Sequence, residues 1–235
     1  MEATLSPSRY LGVGLYSFAE AARIIGIKPA KLRRWAGQYR RKEPGAEYLS
    51  KPVISRYFQD GEHVLTFLEL VELLFVKLFR EEGVSMQVIR KAAEEAARRF
   101  DTPYPFAVKR FDTDGHRIFA NLQEEAQGEQ SVVELGKGQH VFDVVVRPFF
   151  RKLEYRDGGD ALRYWPRDRE GRVVLDPQRS FGKPIDAETG VPTRALYDAV
   201  LAGGGQLPEV VAEWFGVPLE AVEAAVAFER SLLAA

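Results

Sequence analysis

Cysteine is absent from the 235 residues. That excludes a disulfide framework, thiolate zinc sites and thiol nucleophiles. Methionine occurs twice and asparagine once, at Asn121, a scarcity of thermolabile side chains that fits a thermophile. The three histidines, His63, His116 and His140, stand isolated, without carboxylates at metal-ligand spacing. No glycine-rich phosphate loop is present; Gly203-Gly204-Gly205 follows a predicted helix and reads as its stop and a linker. Turn chemistry accounts for Asp112 and Asp114. Neither catalysis nor a metal or cofactor is expected. The start, Met1-Glu2-Ala3-Thr4, lacks the basic and apolar regions of a secretory signal. The most apolar stretch, Leu65 to Phe79, is interrupted by Glu69, Glu72 and Lys77 and is too short to span a bilayer. A cytoplasmic protein without membrane contact is expected.

What the chain does have is a charge gradient hidden by a net charge of −1. Residues 1–62 carry 11 Lys and Arg against 6 Asp and Glu, whereas residues 181–235 carry 3 against 8. The two ends therefore call for different partners, nucleic acid for the basic end and a protein for the acidic one.

Each end also carries a helix-turn-helix pattern. In both, an alanine (Ala22, Ala212) stands four residues before a glycine (Gly26, Gly216), and a small aliphatic residue and a proline open the next helix. In the first, Ser17 and Glu20 form a capping-box signature that starts a helix at Phe18. Gly26-Ile27 makes the turn, and Pro29 sits in the first turn of the second helix, where proline is favoured. Leu32 and Trp35 face inward, while Lys28, Lys31, Arg34 and Gln38 share the opposite face with Arg33 beside them. Lys28 occupies the N-cap, where a cation forfeits about 1 kcal/mol of capping and opposes the helix dipole. A DNA phosphate at that point offsets both.

Arg40-Arg41-Lys42 adds a second basic cluster. Val53 to Phe58 and His63 to Leu65, around Asp60-Gly61, read as a hairpin, a wing on which Lys51 and Arg56 touch the DNA backbone. Thr66 to Glu82 reads as a helix so apolar that it must be buried on nearly all sides, and part of it is expected in a dimer contact. Gly83-Val84-Ser85 ends it, and Ser85 starts a charged helix to about Phe100. The series Tyr16-Ser17, Ala22, Gly26-Ile27, Leu32-Arg33-Arg34-Trp35, the wing and Gly83 to Arg90 resembles the MerR-type winged helix-turn-helix over residues 15–100. It departs from that family in Arg34 for the usual aromatic, a longer wing, and the lack of cysteine ligands and a long terminal dimerisation helix. The resemblance implies double-stranded operator DNA as ligand and residues Ser17, Lys28, Lys31, Arg33, Arg34, Gln38, Arg40, Arg41, Lys51 and Arg56 as its contacts, without metal or thiol sensing.

Residues 102–175 look β-rich. Phe106–Phe111 with His116–Leu122, and Leu153–Tyr155 with Leu162–Trp165, flank aspartate-glycine turns and read as hairpins. Val141 to Phe150 is apolar, but Pro148 leaves it open between helix and strand. Phe149, Phe150, Tyr155, Tyr164 and Trp165 read as core.

In the second helix-turn-helix, Glu220, Glu223 and Glu229 replace the cations that DNA requires, so it faces a protein or its own core. Phe181-Gly182-Lys183-Pro184, Gly190-Val191-Pro192-Thr193, Pro208 to Phe215 and Ala224 to Glu229 resemble, over residues 173–235, a small domain of VapB-type antitoxins, with Thr189-Gly190 where that family has Thr-Arg. The resemblance implies a PIN-like ribonuclease toxin as partner and repression of the protein's own operon. Arg179, Arg194, Trp214, Phe215 and Phe228 are then the toxin-binding candidates, an arginine pairing with the carboxylates of such a nuclease.

The expected fold is α+β: a winged helix-turn-helix over residues 1–101, a β-rich middle module over 102–172 and a small trihelical domain over 173–235. The reading that joins these parts is a dimeric antitoxin and autorepressor. The alternatives are a transcription regulator controlled by a small-molecule effector in the middle module, and a homo-oligomeric scaffold whose helix-turn-helix patterns only pack.

Overall fold

A computed structural model of the chain describes residues 11–37, 39–43, 46–58, 63–124, 137, 140–157, 159–203 and 208–233. Strand β1 (Tyr16–Ser17) leads directly into helix α1 (Phe18–Ile25), whose N-cap is the complete capping box of Ser17 and Glu20. Gly26 takes the left-handed conformation, φ 73°, that turns the chain into α2 (Pro29–Ala36). A hairpin follows, β2 (Tyr39–Glu43) against β3 (Ala46–Ser50), with Arg41 opposite Tyr48. Strand β4 (Val64–Leu65) then returns to pair with β1, Tyr16 opposite Leu65, so the basic end is an excursion between two paired strands.

The wing therefore lies elsewhere than the sequence predicts. The hairpin is β2–β3, whereas Val53–Phe58 forms no strand and Val64–Leu65 pairs with β1; Asp60-Gly61 lies outside the described residues. Val53, Ile54 and Phe58 are buried, which explains their apolar character without a sheet.

Helix α3 (Phe67–Glu81) starts at a second capping box, Thr66 with Glu69, and is buried over most of its surface. Leu70, Val71, Leu73, Phe75, Val76 and Phe79 are wholly covered by the chain's own core, which accounts for most of the apolar character of α3, while Leu68 and Leu78 stay partly exposed. Helix α4 (Met86–Phe100) follows from the Ser85 cap.

The first half of the middle region is helical, which corrects its predicted hairpin. Helix α5 (Arg110–Glu124) runs straight through Asp112-Thr113-Asp114-Gly115. Phe111, Ile118 and Phe119 recur at helical spacing and are fully buried, and Phe142 packs where Gly115 has no side chain. Tertiary packing overrides the Asp-Gly turn signal. Next, Phe142–Val146 winds as a π-helical turn just before Pro148, which has no N–H to give, and runs into Arg147–Phe149 and a 3-10 turn, Phe150–Lys152. Phe75 of α3 stands at the centre of this region, with Phe106, Phe111, Phe149 and Phe150 all within 6.3 Å between ring centroids.

The second predicted hairpin is present as β5 (Leu153–Tyr155) and β6 (Ala161–Tyr164). With β7 (Val173–Leu175) and β8 (Pro184–Asp186) it makes a four-stranded antiparallel sheet in sequence order. One apolar core runs from Tyr16 to Leu175 and so crosses from the helix-turn-helix into this sheet. A second, smaller core joins α6 (Thr193–Ala202), α7 (Pro208–Phe215) and α8 (Leu219–Leu233), with Leu196, Val211, Val222 and Ala225 at its centre. The fold is α+β. Among the described residues no helix is long and apolar enough to cross a membrane.

Candidate nucleic-acid interface

Helix α2 presents the basic face. Leu32, Trp35 and Ala36 are buried beneath it, which turns Lys28, Arg33 and Arg34 outward, all exposed. Lys28 sits at the N-cap with extended backbone, φ −64° and ψ 138°, and makes no capping hydrogen bond; the first turn of α2 holds no acidic residue. The amide groups and positive dipole end of the helix thus stand beside a cation, an arrangement that favours an anion there. Lys31 is half-buried, its ammonium 4.9 Å from the centre of the Trp35 ring. Lys28, Arg33 and Arg34 make no ion pair among the described residues.

The other predicted contacts divide. Ser17 is exposed, but its hydroxyl accepts from the Glu20 amide at 3.2 Å and donates to the Glu20 carboxylate at 2.9 Å, so its role is to start α1. Arg40 and Arg41 lie on β2, and Gln38 lies outside the described residues. Lys51 is exposed where the chain leaves β3, with its carbonyl held by the Arg90 guanidinium at 3.0 Å.

Arg56 is not a surface cation. Its Nε donates to Glu69 Oε1 at 3.0 Å, Nη1 to the Ala36 carbonyl at 2.7 Å and Nη2 to the Val64 carbonyl at 2.7 Å, and the guanidinium lies 5.3 Å from the Phe18 ring centre. It ties α1, α2, β4 and α3 together from inside. Glu69, with no side-chain exposure, also accepts from the amides of Thr66 at 2.6 Å and Tyr57 at 2.8 Å.

At the acidic end, Trp214 and Phe215 close α7 with relative exposures of 66% and 40%. Exposed Glu209 and Glu213 on the same helix and Glu220 and Glu223 on α8 surround them with negative charge. Phe228, predicted as a contact, is buried and serves the core. Arg179 is half-buried and spends a donor on the Ala187 carbonyl at 2.8 Å. Arg194 is exposed and pairs with Asp198 one turn away at 2.8 Å.

The sequence carries no signal for the seam between the two ends. The Tyr16 hydroxyl donates to the Gly182 carbonyl at 2.6 Å, the Leu15 amide to the Phe181 carbonyl at 2.9 Å, and Lys183 pairs with Glu20. Burial raises the Glu20 carboxyl, but the Lys183 ammonium and the Ser17 donors outweigh it and hold the group below the ordinary range. Ser180, Phe181 and Gly182 are all left-handed, with φ of 47°, 54° and 80°, a run strained for its two non-glycine members. No side chain fits at Gly182, because a Cβ there meets the Tyr16 hydroxyl at 2.5 Å.

A sequence profile described as "Putative DNA-binding HTH domain" matches residues 14–93. Over 217 residues, covering 87% of this chain and 89% of the relative, the protein is 29% identical to a Mycobacterium tuberculosis protein named "Putative antitoxin VapB45". It is 25% identical over 235 residues to "Uncharacterized protein Rv2308" of the same organism, covering 98% and 96% of the two chains. The crystal structure of Rv2018 from Mycobacterium tuberculosis has the same fold, with a TM-score of 0.71 at 24% identity over 92% of this chain and 98% of that one. The protein is thus an α+β chain with an N-terminal helix-turn-helix domain of the DNA-binding type, similar over most of its length to a protein named "Putative antitoxin".

Proposed function

We propose that this protein is the antitoxin of a toxin–antitoxin pair, an autorepressor that reads operator DNA through α2 and neutralises a PIN-like ribonuclease with its acidic end. The observation that carries the reading is the uncapped, outward-facing basic helix, on which Lys28, Arg33 and Arg34 make no ion pair among the described residues. The similarity to the M. tuberculosis protein named "Putative antitoxin VapB45" supports the other half. The protein acts as a dimer, two copies of α2 meeting the half-sites of a palindrome in successive major grooves. It binds its partners without catalysis or cofactor. At the acidic end, Trp214 is the anchor, since large exposed aromatics dominate binding energy. Arg194 is available to a nuclease carboxylate, because its exposed pair with Asp198 is worth only tenths of a kcal/mol.

Two experiments test the halves separately. Arg33→Ala and Arg34→Ala are each expected to weaken operator binding and to lower the slope of log affinity against log salt by about 1. Unchanged affinity in both removes α2 from the interface. Co-expression with the nuclease encoded beside the gene is expected to give a stable complex and relieve toxicity, with Trp214→Ala releasing both. Full toxicity in the presence of the wild-type protein defeats the antitoxin reading.

A further inference from the structure

The basic and acidic surfaces are both open, and each offers what the other lacks. On α2, exposed Lys28, Arg33 and Arg34 flank exposed Pro29 and Ala30, and the helix contains no acidic residue. At the other end, α7 and α8 present Glu209, Glu213, Glu220 and Glu223, all exposed, around the exposed rings of Trp214 and Phe215. Helix α7 carries no cation, and Arg230, near the far end, is the single cation of α8. Among the described residues these four glutamates make no ion pair, nor do Lys28, Arg33 and Arg34. Adjacent aromatic rings rimmed by polar residues mark an interaction site.

Within one chain the two surfaces do not neutralise each other. The seam holds the acidic end on β1 and α1, through Tyr16 with Gly182, Leu15 with Phe181 and Lys183 with Glu20, and leaves both surfaces exposed. Their attraction is therefore available between copies. Whole-molecule charge opposes this little, being −1, while residues 1–62 hold 11 Lys and Arg against 6 Asp and Glu and residues 181–235 hold 3 against 8. Copies repel weakly as wholes and attract end to end.

We propose that, in the absence of other ligands, one copy docks its acidic α7–α8 face on the basic α2 of a second copy. The glutamates then meet Lys28, Arg33 and Arg34, and the Trp214 ring stacks on an α2 guanidinium above Pro29 and Ala30. Arginine both pairs with carboxylates and stacks on indole faces, so α2 answers the charge and the ring together. The contact is head to tail, since the surface a copy gives differs from the one it takes. Such an interface builds rings or open chains rather than a closed twofold dimer. Exposed ion pairs contribute little each and are screened by salt, so the association is weak and falls with ionic strength. It covers α2, so DNA and a second copy compete for that helix. The contact shares its surfaces with the proposed function without depending on it, because neither operator nor toxin takes part.

The test is sedimentation equilibrium of the full chain at about 0.01 M and about 1 M salt, where charges are screened over about 30 Å and about 3 Å. At low salt the weight-average mass is expected to rise with protein concentration beyond the high-salt baseline, which includes any symmetric dimer that survives 1 M salt. Arg33→Glu with Arg34→Glu, and separately Glu220→Lys with Glu223→Lys, are each expected to lose that rise. All four positions are exposed, so both variants keep the fold. Mixed in equal amounts, the intact α2 of one variant meets the intact acidic face of the other, and a mixed complex is expected. Trp214→Ala is expected to weaken the low-salt association by about tenfold. A mass independent of salt, association retained in either charge-reversed variant, or no complex on mixing overturns the proposal. A duplex carrying the sequence upstream of the gene is expected to disperse the low-salt assemblies. That readout rests on the DNA-binding reading, and its failure alone overturns only the competition for α2.

Discussion

Replacing Arg56 by alanine separates an internal strut from a DNA contact. The change removes the hydrogen bonds to Glu69, Ala36 and Val64 and leaves Glu69, which has no side-chain exposure, without a counter-charge among the described residues. The amides of Thr66 and Tyr57 still donate to Glu69, so the carboxylate is not stripped bare. Breaking a buried pair from one side costs about 3–5 kcal/mol, most of it the penalty of the stranded charge. For a chain of this size that lowers Tm by roughly 6–20 °C. Lysine in place of arginine keeps the charge but not the three-way geometry, so Arg56→Lys is expected to recover only part of the loss. The assay is differential scanning calorimetry, paired with operator binding at a temperature where both variants are folded. The salt slope of Arg56→Ala is expected to match that of the wild type, unlike that of Arg34→Ala. A Tm within about 2 °C of wild type together with a shallower salt slope refutes the structural role and returns Arg56 to the DNA surface.

Two further outcomes follow from buried positions. Gly115→Ala in α5 normally gains about 1 kcal/mol of helix propensity, but here the new methyl runs into the Phe142 ring. Urea denaturation is expected to show a loss of about 1–3 kcal/mol, and stabilisation contradicts the packing described. Glu72 carries its proton up to about pH 8 in the folded chain, against an ordinary carboxyl value of 4.5. The folded state therefore binds the extra proton, so its contribution is fully present below 4.5 and is lost as pH rises through 8. Over that window the wild type is expected to lose roughly 5 kcal/mol relative to Glu72→Gln. Parallel stability curves for the two proteins between pH 5 and pH 9 contradict that.

The parts of the fold that the sequence announces are those fixed by local chemistry. Ser17 with Glu20, Lys28 before Pro29 and Gly216 in the second turn each act within one helical turn, and each stands where expected; the Thr66–Glu69 box that starts α3 is equally local. The hairpin of β5 and β6 is likewise local. Misreadings arise where a distant partner decides. Asp-Gly at 114–115 signals a turn, but the Phe142 ring needs the bare glycine inside a helix. Strand β2 is mostly charged and neither strand shows apolar alternation, so only the Pro44-Gly45 dipeptide between them signals a turn in the sequence. Arg56 reads as a surface cation because its three acceptors come from three other elements. Glu72 reads as one more charge on α3, since the amides of Phe106 and Ala107 that hold it lie on another segment.

The seam adds a relation between the two ends that neither charge nor motif conveys. Lys183 pairs with Glu20, Gly182 with Tyr16 and Phe181 with Leu15, so the acidic end is anchored on β1 and α1. Lys28, Arg33 and Arg34 of α2 remain exposed with the acidic end in place, and so do Trp214 and Phe215 of α7. The basic and acidic surfaces are therefore both open in one arrangement of the chain, and neither has to unmask the other. On the antitoxin reading proposed above, operator and toxin would be held together, with the strained turn Ser180–Gly182 as the joint between the two sites. Coupling between DNA and toxin affinity, where it exists, then runs through α1 rather than through competition for a shared face.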